Sequence, residues 1–155
     1  MRFETILEKF SAAVTAGDGA ALGALFTEDG IYDDVFYGEF AGRDAIAGML
    51  AIFHDGGTDF RWEFRDPVSN GKTGYAYWLF SYTGANRNNK GKRVVFDGVG
   101  IFHLRDGLIE RYEDMCNGAL PLKQMGTPAP IVDRMLGKWQ AHLEARPGFA
   151  NHKPV

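Results

Sequence analysis

Phe3, Ile6, Leu7, Phe10 and Val14 recur at the spacing of one helix face, so the chain opens on an amphipathic helix. Ala16-Gly17-Asp18 stops it and caps a second helix, whose apolar stripe is Leu22, Leu25 and Phe26. A turn at Glu28-Asp29-Gly30 precedes Ile31 to Tyr37, a segment of strand formers, and Gly42-Arg43-Asp44 opens a third helix with Ile46, Met49, Leu50 and Phe53 inward. Gly56-Gly57 ends that helix.

The period then changes from helical to two. Phe60, Trp62 and Phe64 alternate with Arg61, Glu63 and Arg65 up to a turn at Asp66-Pro67. Three longer strands follow, Thr73 to Thr83, Val94 to Leu104 and Leu108 to Asn117, joined by the polar loop Gly84 to Gly91 and by the tight turn Arg105-Asp106-Gly107. They predict an antiparallel meander. Gly118 and Pro121 end the sheet, and Pro128 and Pro130 start a last helix with the stripe Ile131, Met135, Leu136, Trp139 and Leu143. Helices, a strand, a helix and then several strands make the chain α+β, with no internal repeat and no linker. Residues 1–126 are expected to form the α+β unit, and 127–155 a helical extension of the same domain that acts as a lid or a dimer contact.

The 155-residue length suits one domain with its own core. Aromatic residues make up 14% of the chain, which favours a large apolar interior without separating core from ligand pocket. A net charge of -3 leaves no basic field for a nucleic-acid footprint. The basic run Lys90-Gly91-Lys92-Arg93 follows Asn86-Arg87-Asn88-Asn89 and reads as a solvated hairpin loop. Cys116 is the only cysteine, so no intrachain disulfide forms, and no spacing of His, Asp or Glu marks a metal site. Without an apolar leader or a long apolar run, the expected setting is the cytoplasm, with no membrane partner.

Three stretches resemble one known superfamily. They are Thr15-Ala16-Gly17-Asp18 with Ala24-Leu25-Phe26-Thr27-Glu28-Asp29, then Tyr32-Asp33-Asp34 ahead of Gly42-Arg43-Asp44-Ala45-Ile46, and Phe102-His103-Leu104-Arg105-Asp106-Gly107-Leu108-Ile109. Over residues 3 to 117 the chain is similar to the SnoaL-like superfamily, whose cone-shaped fold is shared by nuclear transport factor 2, ketosteroid isomerase, limonene epoxide hydrolase and polyketide cyclases. The resemblance implies a curved mixed or antiparallel sheet wrapped on the N-terminal helices. It leaves the reaction open, because one fold hosts many chemistries.

Strand parity then groups the side chains that share the cavity implied by that fold. The sets are Tyr32, Asp34 and Phe36; Ala76, Trp78, Phe80 and Tyr82; Val94, Phe96, Gly98, Gly100 and Phe102; and Tyr112, Asp114 and Cys116. Carboxylates among rings have raised proton affinity, which suits acid/base work. By resemblance, Asp114 matches a catalytic aspartate of the epoxide hydrolases and cyclases, and Asp34 matches the proton-shuttling aspartate of the isomerases. Tyr32, Phe10, Trp62, Trp78, Phe80, Phe96 and Tyr112 are the candidate pocket residues. Asp33, of opposite parity, is expected in solvent.

Two departures stand beside the matches. Trp78 and Phe80 occupy positions where the epoxide hydrolases need Arg and Asp, and Phe10 and Gly100 occupy those of the isomerase's oxyanion donors. Three functions therefore stay open. The first is cofactor-independent isomerisation, cyclisation, dehydration or hydration of a hydrophobic carbonyl, polyketide-like or terpenoid molecule. The second is binding of such a molecule without chemistry, and the third is a structural subunit of a larger assembly. A homodimer is expected by resemblance.

Overall fold

The computed structural model describes residues 1–154 and shows helices packed in the hollow of one curved six-stranded sheet. The first helix, α1 (Phe3–Ala16), buries Phe3, Ile6, Leu7, Phe10, Ala13 and Val14, the face its spacing predicts. Gly17 closes it at φ 72°, a left-handed conformation in which glycine carries no steric penalty. Asp18 then caps α2 (Gly19–Gly23) by accepting from the Ala21 amide at 2.9 Å.

The second helix is shorter than expected. Leu25 already accepts the Ile109 amide at 2.8 Å, so the chain enters the sheet here, and Phe26 opens β1 (Phe26–Asp34) instead of extending the helix. Glu28-Asp29-Gly30 is consequently an irregularity within β1 and not a turn ahead of it. The strand ends at Asp34, earlier than Tyr37, and a tight reversal leads to β2 (Gly38–Ala41), which the residue pattern did not predict. Helix α3 (Arg43–Gly56) follows as expected and buries Ile46, Met49 and Leu50.

Strand β3 (Gly57–Ser69) runs through Asp66-Pro67, where a turn was expected. Asp59 and Asp66 adopt φ of 51° and 50°, and the register against β4 shifts at both places. They mark bulges that bend the strand, and proline is tolerated because β3 lies at the sheet edge. The strands β4 (Thr73–Gly84), β5 (Arg93–Arg105) and β6 (Leu108–Cys116) form the expected antiparallel meander.

The sheet order is β2-β1-β6-β5-β4-β3, and β1 pairs with β6 in parallel. That pairing joins the N-terminal strands to the last strand of the meander and leaves the curved sheet open between β2 and β3. A short α4 (Ala119–Met125), also absent from the predicted elements, precedes α5 (Ala129–Glu144). None of the described helices is long and apolar enough to cross a membrane.

Candidate functional site

The parallel register decides which carboxylates meet. Tyr32 lies beside Tyr112 and Asp33 beside Glu113 on adjacent strands. Asp34 and Asp114 each follow two residues after the paired tyrosines and so share their inward face. Both line a cavity of about 310 Å3 whose other walls include Trp62, Trp78, Phe80 and Phe96. Tyr32 borders it as well.

Two of the sequence candidates lie elsewhere. Phe10 and Tyr112 are completely buried and do not line the cavity. Phe10 fills the core between the Tyr32, Trp62 and Phe102 rings, and Tyr112 lies beneath Asp114, its hydroxyl donating to Asp114 Oδ1. Gly100 shows why no side chain joins them: a Cβ there would sit 2.8 Å from the Tyr112 ring. The space beside Gly100 is filled by the Tyr112 ring.

Phe53, Phe60, Asn89, Leu122, Met125 and Met135, which were not among the pocket candidates, also line the cavity. Phe60 shares parity with Trp62, and Met135 lies on the last helix's stripe, so both carried a signal. Asn89 and Met125 come from a loop and an unpredicted helix, and carried none. Asp33, expected in solvent, is only 8% exposed. Arg111 holds it at 2.7 Å while also bonding Glu39 at 2.6 Å, so an ion pair compensates its burial.

The two cavity carboxyls have different surroundings. Burial pushes Asp34 up to about 6, and the negative charge of Asp33 adds to this, while the Tyr37 and Phe36 amides, each donating to Oδ1 at 2.8 Å, oppose it. Asp114 is raised well above the ordinary carboxylate range, first by burial and then by the charge of Asp34. The Tyr112 hydroxyl and, more weakly, the Trp78 indole N–H favour its charged form without outweighing those effects. Trp78 Nε1 is itself buried with no hydrogen bond of full geometry, as is Trp62 Nε1.

Asp34, at about 6, is thus the more readily ionised of the two, and Asp114, whose Oδ1 is engaged by Tyr112, holds its proton more tightly than an ordinary carboxylic acid. Burial holds the Tyr32 and Tyr112 hydroxyls protonated, since both are raised well above the usual phenol range. Cys116, pushed up to about 12 by burial, stays a thiol and is a poor nucleophile.

A second hollow of about 270 Å3 lies across the same wall, because Asp34, Val35, Phe36, Tyr37, Asp114 and Met135 border both. Its far side is α5, which contributes Lys138, Trp139 and His142, with Arg146 just past the helix end. Trp139 fixes the helix there. Its Nε1 donates to the Val35 carbonyl at 2.7 Å, and its ring meets Phe36 edge to face at 5.9 Å. It also occupies the space above Gly118, where a Cβ would lie 2.4 Å from the indole. Among the described residues, no three His, Cys, Asp or Glu side chains are grouped to hold a metal ion.

Residues 7–112 match the family model of the SnoaL-like domain. A comparison with curated proteins gives no match. Among solved structures, a hypothetical protein of ketosteroid isomerase-like fold from Catenulispora acidiphila DSM 44928, in complex with trimethylamine, superposes with TM-score 0.73 at 22% identity. The match covers 81% of this chain and 95% of that one. A proposed polyketide cyclase from Xanthomonas campestris pv. campestris gives TM-score 0.66 at 24% identity, covering 79% and 95% of the two chains. An epoxide hydrolase of limonene-epoxide-hydrolase type from M. tuberculosis gives 0.62 at 18%, covering 89% and 94%. At these identities the likeness is one of fold.

Proposed function

We propose that this chain, which belongs to the SnoaL-like domain family, is a cofactor-independent acid/base enzyme acting on a hydrophobic carbonyl compound of polyketide or terpenoid type. One observation carries the reading. Two carboxyls of separated proton affinity stand together at the wall of an apolar, ring-lined cavity. The same fold is found in a proposed polyketide cyclase and in an epoxide hydrolase.

The division of labour follows from the surroundings of each acid. Asp34, ionised above about pH 6, accepts a proton from a carbon next to the substrate carbonyl. Asp114, neutral and steadied through Oδ1 by Tyr112, presents its own proton to the carbonyl oxygen and stabilises the enol that forms. Return of the proton to another carbon completes an isomerisation, and loss of a β-hydroxyl from the enol completes a dehydration. Ring closure follows when the enol carbon attacks a second carbonyl. The aromatic walls bind the substrate's apolar body and keep bulk water from the enol.

Deuterium uptake at the α-carbon of 2-tetralone, followed by NMR in heavy water, tests the central step. Native protein should accelerate exchange, and Asp34→Asn should reduce the acceleration about 100-fold or more, with Asp114→Asn close behind. Tight binding of the ketone with exchange no faster than in buffer would instead favour a binding protein. Phe10 and Gly100, at the positions of the isomerase's oxyanion donors, are the observation on that side.

We further propose that the chain forms a homodimer through the convex sheet face, where Tyr75, Val95, Val99 and Met115 are between 39 and 58% exposed. Sedimentation equilibrium should give twice the chain mass for the native protein. Val99→Glu should then shift it to monomer, because a charge at a buried apolar contact is unpaired.

A further inference from the structure

At the end of the cavity away from the two acids, two donors converge on one atom. The Tyr82 hydroxyl lies 3.3 Å and the Asn89 side-chain nitrogen 3.4 Å from the sulfur of Met125. A thioether is a weak acceptor, and here it serves a phenol and an amide at once. Asn89 is only 8% exposed, and its Oδ1 has no partner at all. Two donors buried against one weak acceptor bind less strongly than they would to an oxygen, and the Oδ1 acceptor is completed only where that oxygen is a hydroxyl.

The three side chains come from separate segments, the end of β4, the β4–β5 loop and the last residue of α4, and all three line the cavity. The Met125 backbone is pinned, since its carbonyl accepts from Lys92 Nζ at 2.6 Å and Gly126 closes the helix behind it at φ 77°. Its side chain is unbranched, with three rotatable bonds, and can adopt other rotamers from that fixed base.

Resting on the reading of the cavity as a substrate site, we infer that the Met125 sulfur holds the place of a ligand oxygen. Tyr82 Oη and Asn89 Nδ2 form a second polar subsite for a carbonyl, ether or hydroxyl oxygen. The sheet register separates it from the acids along β4. Asp114 pairs across Gly100 with Ala76, and Tyr82 lies on the same face of the strand, six residues further on. The substrate class is accordingly narrowed to an elongated, mostly apolar carbonyl compound with a second oxygen at its far end. Phe60, Trp62, Phe80 and Phe96 sheathe the middle.

Paired ligands test this directly. 6-Methoxy-2-acetylnaphthalene and its 6-ethyl analogue share size and reacting ketone and differ in the distal oxygen, and quenching of tryptophan fluorescence reports their binding. The methoxy compound should bind about tenfold more tightly to native protein. Tyr82→Phe, which removes one donor and no volume, should cut that preference to about threefold or less. Met125→Leu, which removes the competing acceptor, should increase it. Equal affinity of the two ligands in native protein would overturn the subsite and leave the cavity reading standing. Failure of both to bind at millimolar concentration would sink the cavity reading and the subsite together.

Discussion

Asp34 illustrates how a single side chain ties stability to chemistry. Its folded value of about 6 lies above the ordinary 3.8, so below pH 3.8 the carboxyl is protonated in both states and folding bears no penalty from it. Between those values the unfolded chain releases the proton first, and stability falls as pH rises. Above about 6 the loss is complete, at about 3 kcal/mol. Asp114, raised further, acts with the same sign at higher pH. The melting temperature should therefore climb as pH is lowered from 8 to 5, and Asp34→Asn should flatten that slope while stabilising the protein at pH 7. Asparagine keeps the oxygen that the Phe36 and Tyr37 amides use. Activity should run the other way, rising through about pH 6 as Asp34 ionises and falling once Asp114 loses its proton. Gly100→Ala gives a subtler readout. Its methyl would press on the Tyr112 ring, displace the hydroxyl from Asp114, and lower turnover about tenfold with little change in ketone binding.

Among the elements, strand ends depend on borrowed partners. Strand β6 reaches only Gly98 of β5, so Val95 lies beyond its cover. Gln124 of α4 takes over, accepting from the Val95 amide at 2.7 Å and donating to its carbonyl at 2.8 Å. Gln124→Ala should destabilise the fold by about 1 kcal/mol, read by urea denaturation, and loosen the helix that carries Met125. These dependencies also explain what the sequence disclosed. The meander was legible because its side chains alternate over long runs, and α1 and α3 because their stripes recur at helical spacing. The bulges at Asp59 and Asp66, the brief β2 and the short α4 were not, since each arises from tertiary pairing and not from local pattern. The site divided along the same line. Asp34, Asp114 and Trp78 follow from parity once the family resemblance supplies the cavity, and Trp62 from the resemblance alone, whereas Asn89 and Met125 reach the cavity only because α4 lies against the β4–β5 loop.

For the whole molecule, the parallel join of β1 to β6 governs when the site comes into being. The Arg111–Asp33 bridge across that join links residues 78 positions apart in sequence. Strands β3 to β6, by contrast, pair as successive neighbours along the chain. Closing the longer loop carries an entropic cost that local hairpins avoid, so the meander can form first and the join last. During refolding, tryptophan burial within the meander should precede the rise in proton affinity at Asp34 and Asp114. A chain caught between those stages would hold its aromatic wall already built while its two acids still titrate as ordinary, separate carboxylates. On the proposed reading, the paired acids would thus reach their working state only late in the folding of each newly made molecule.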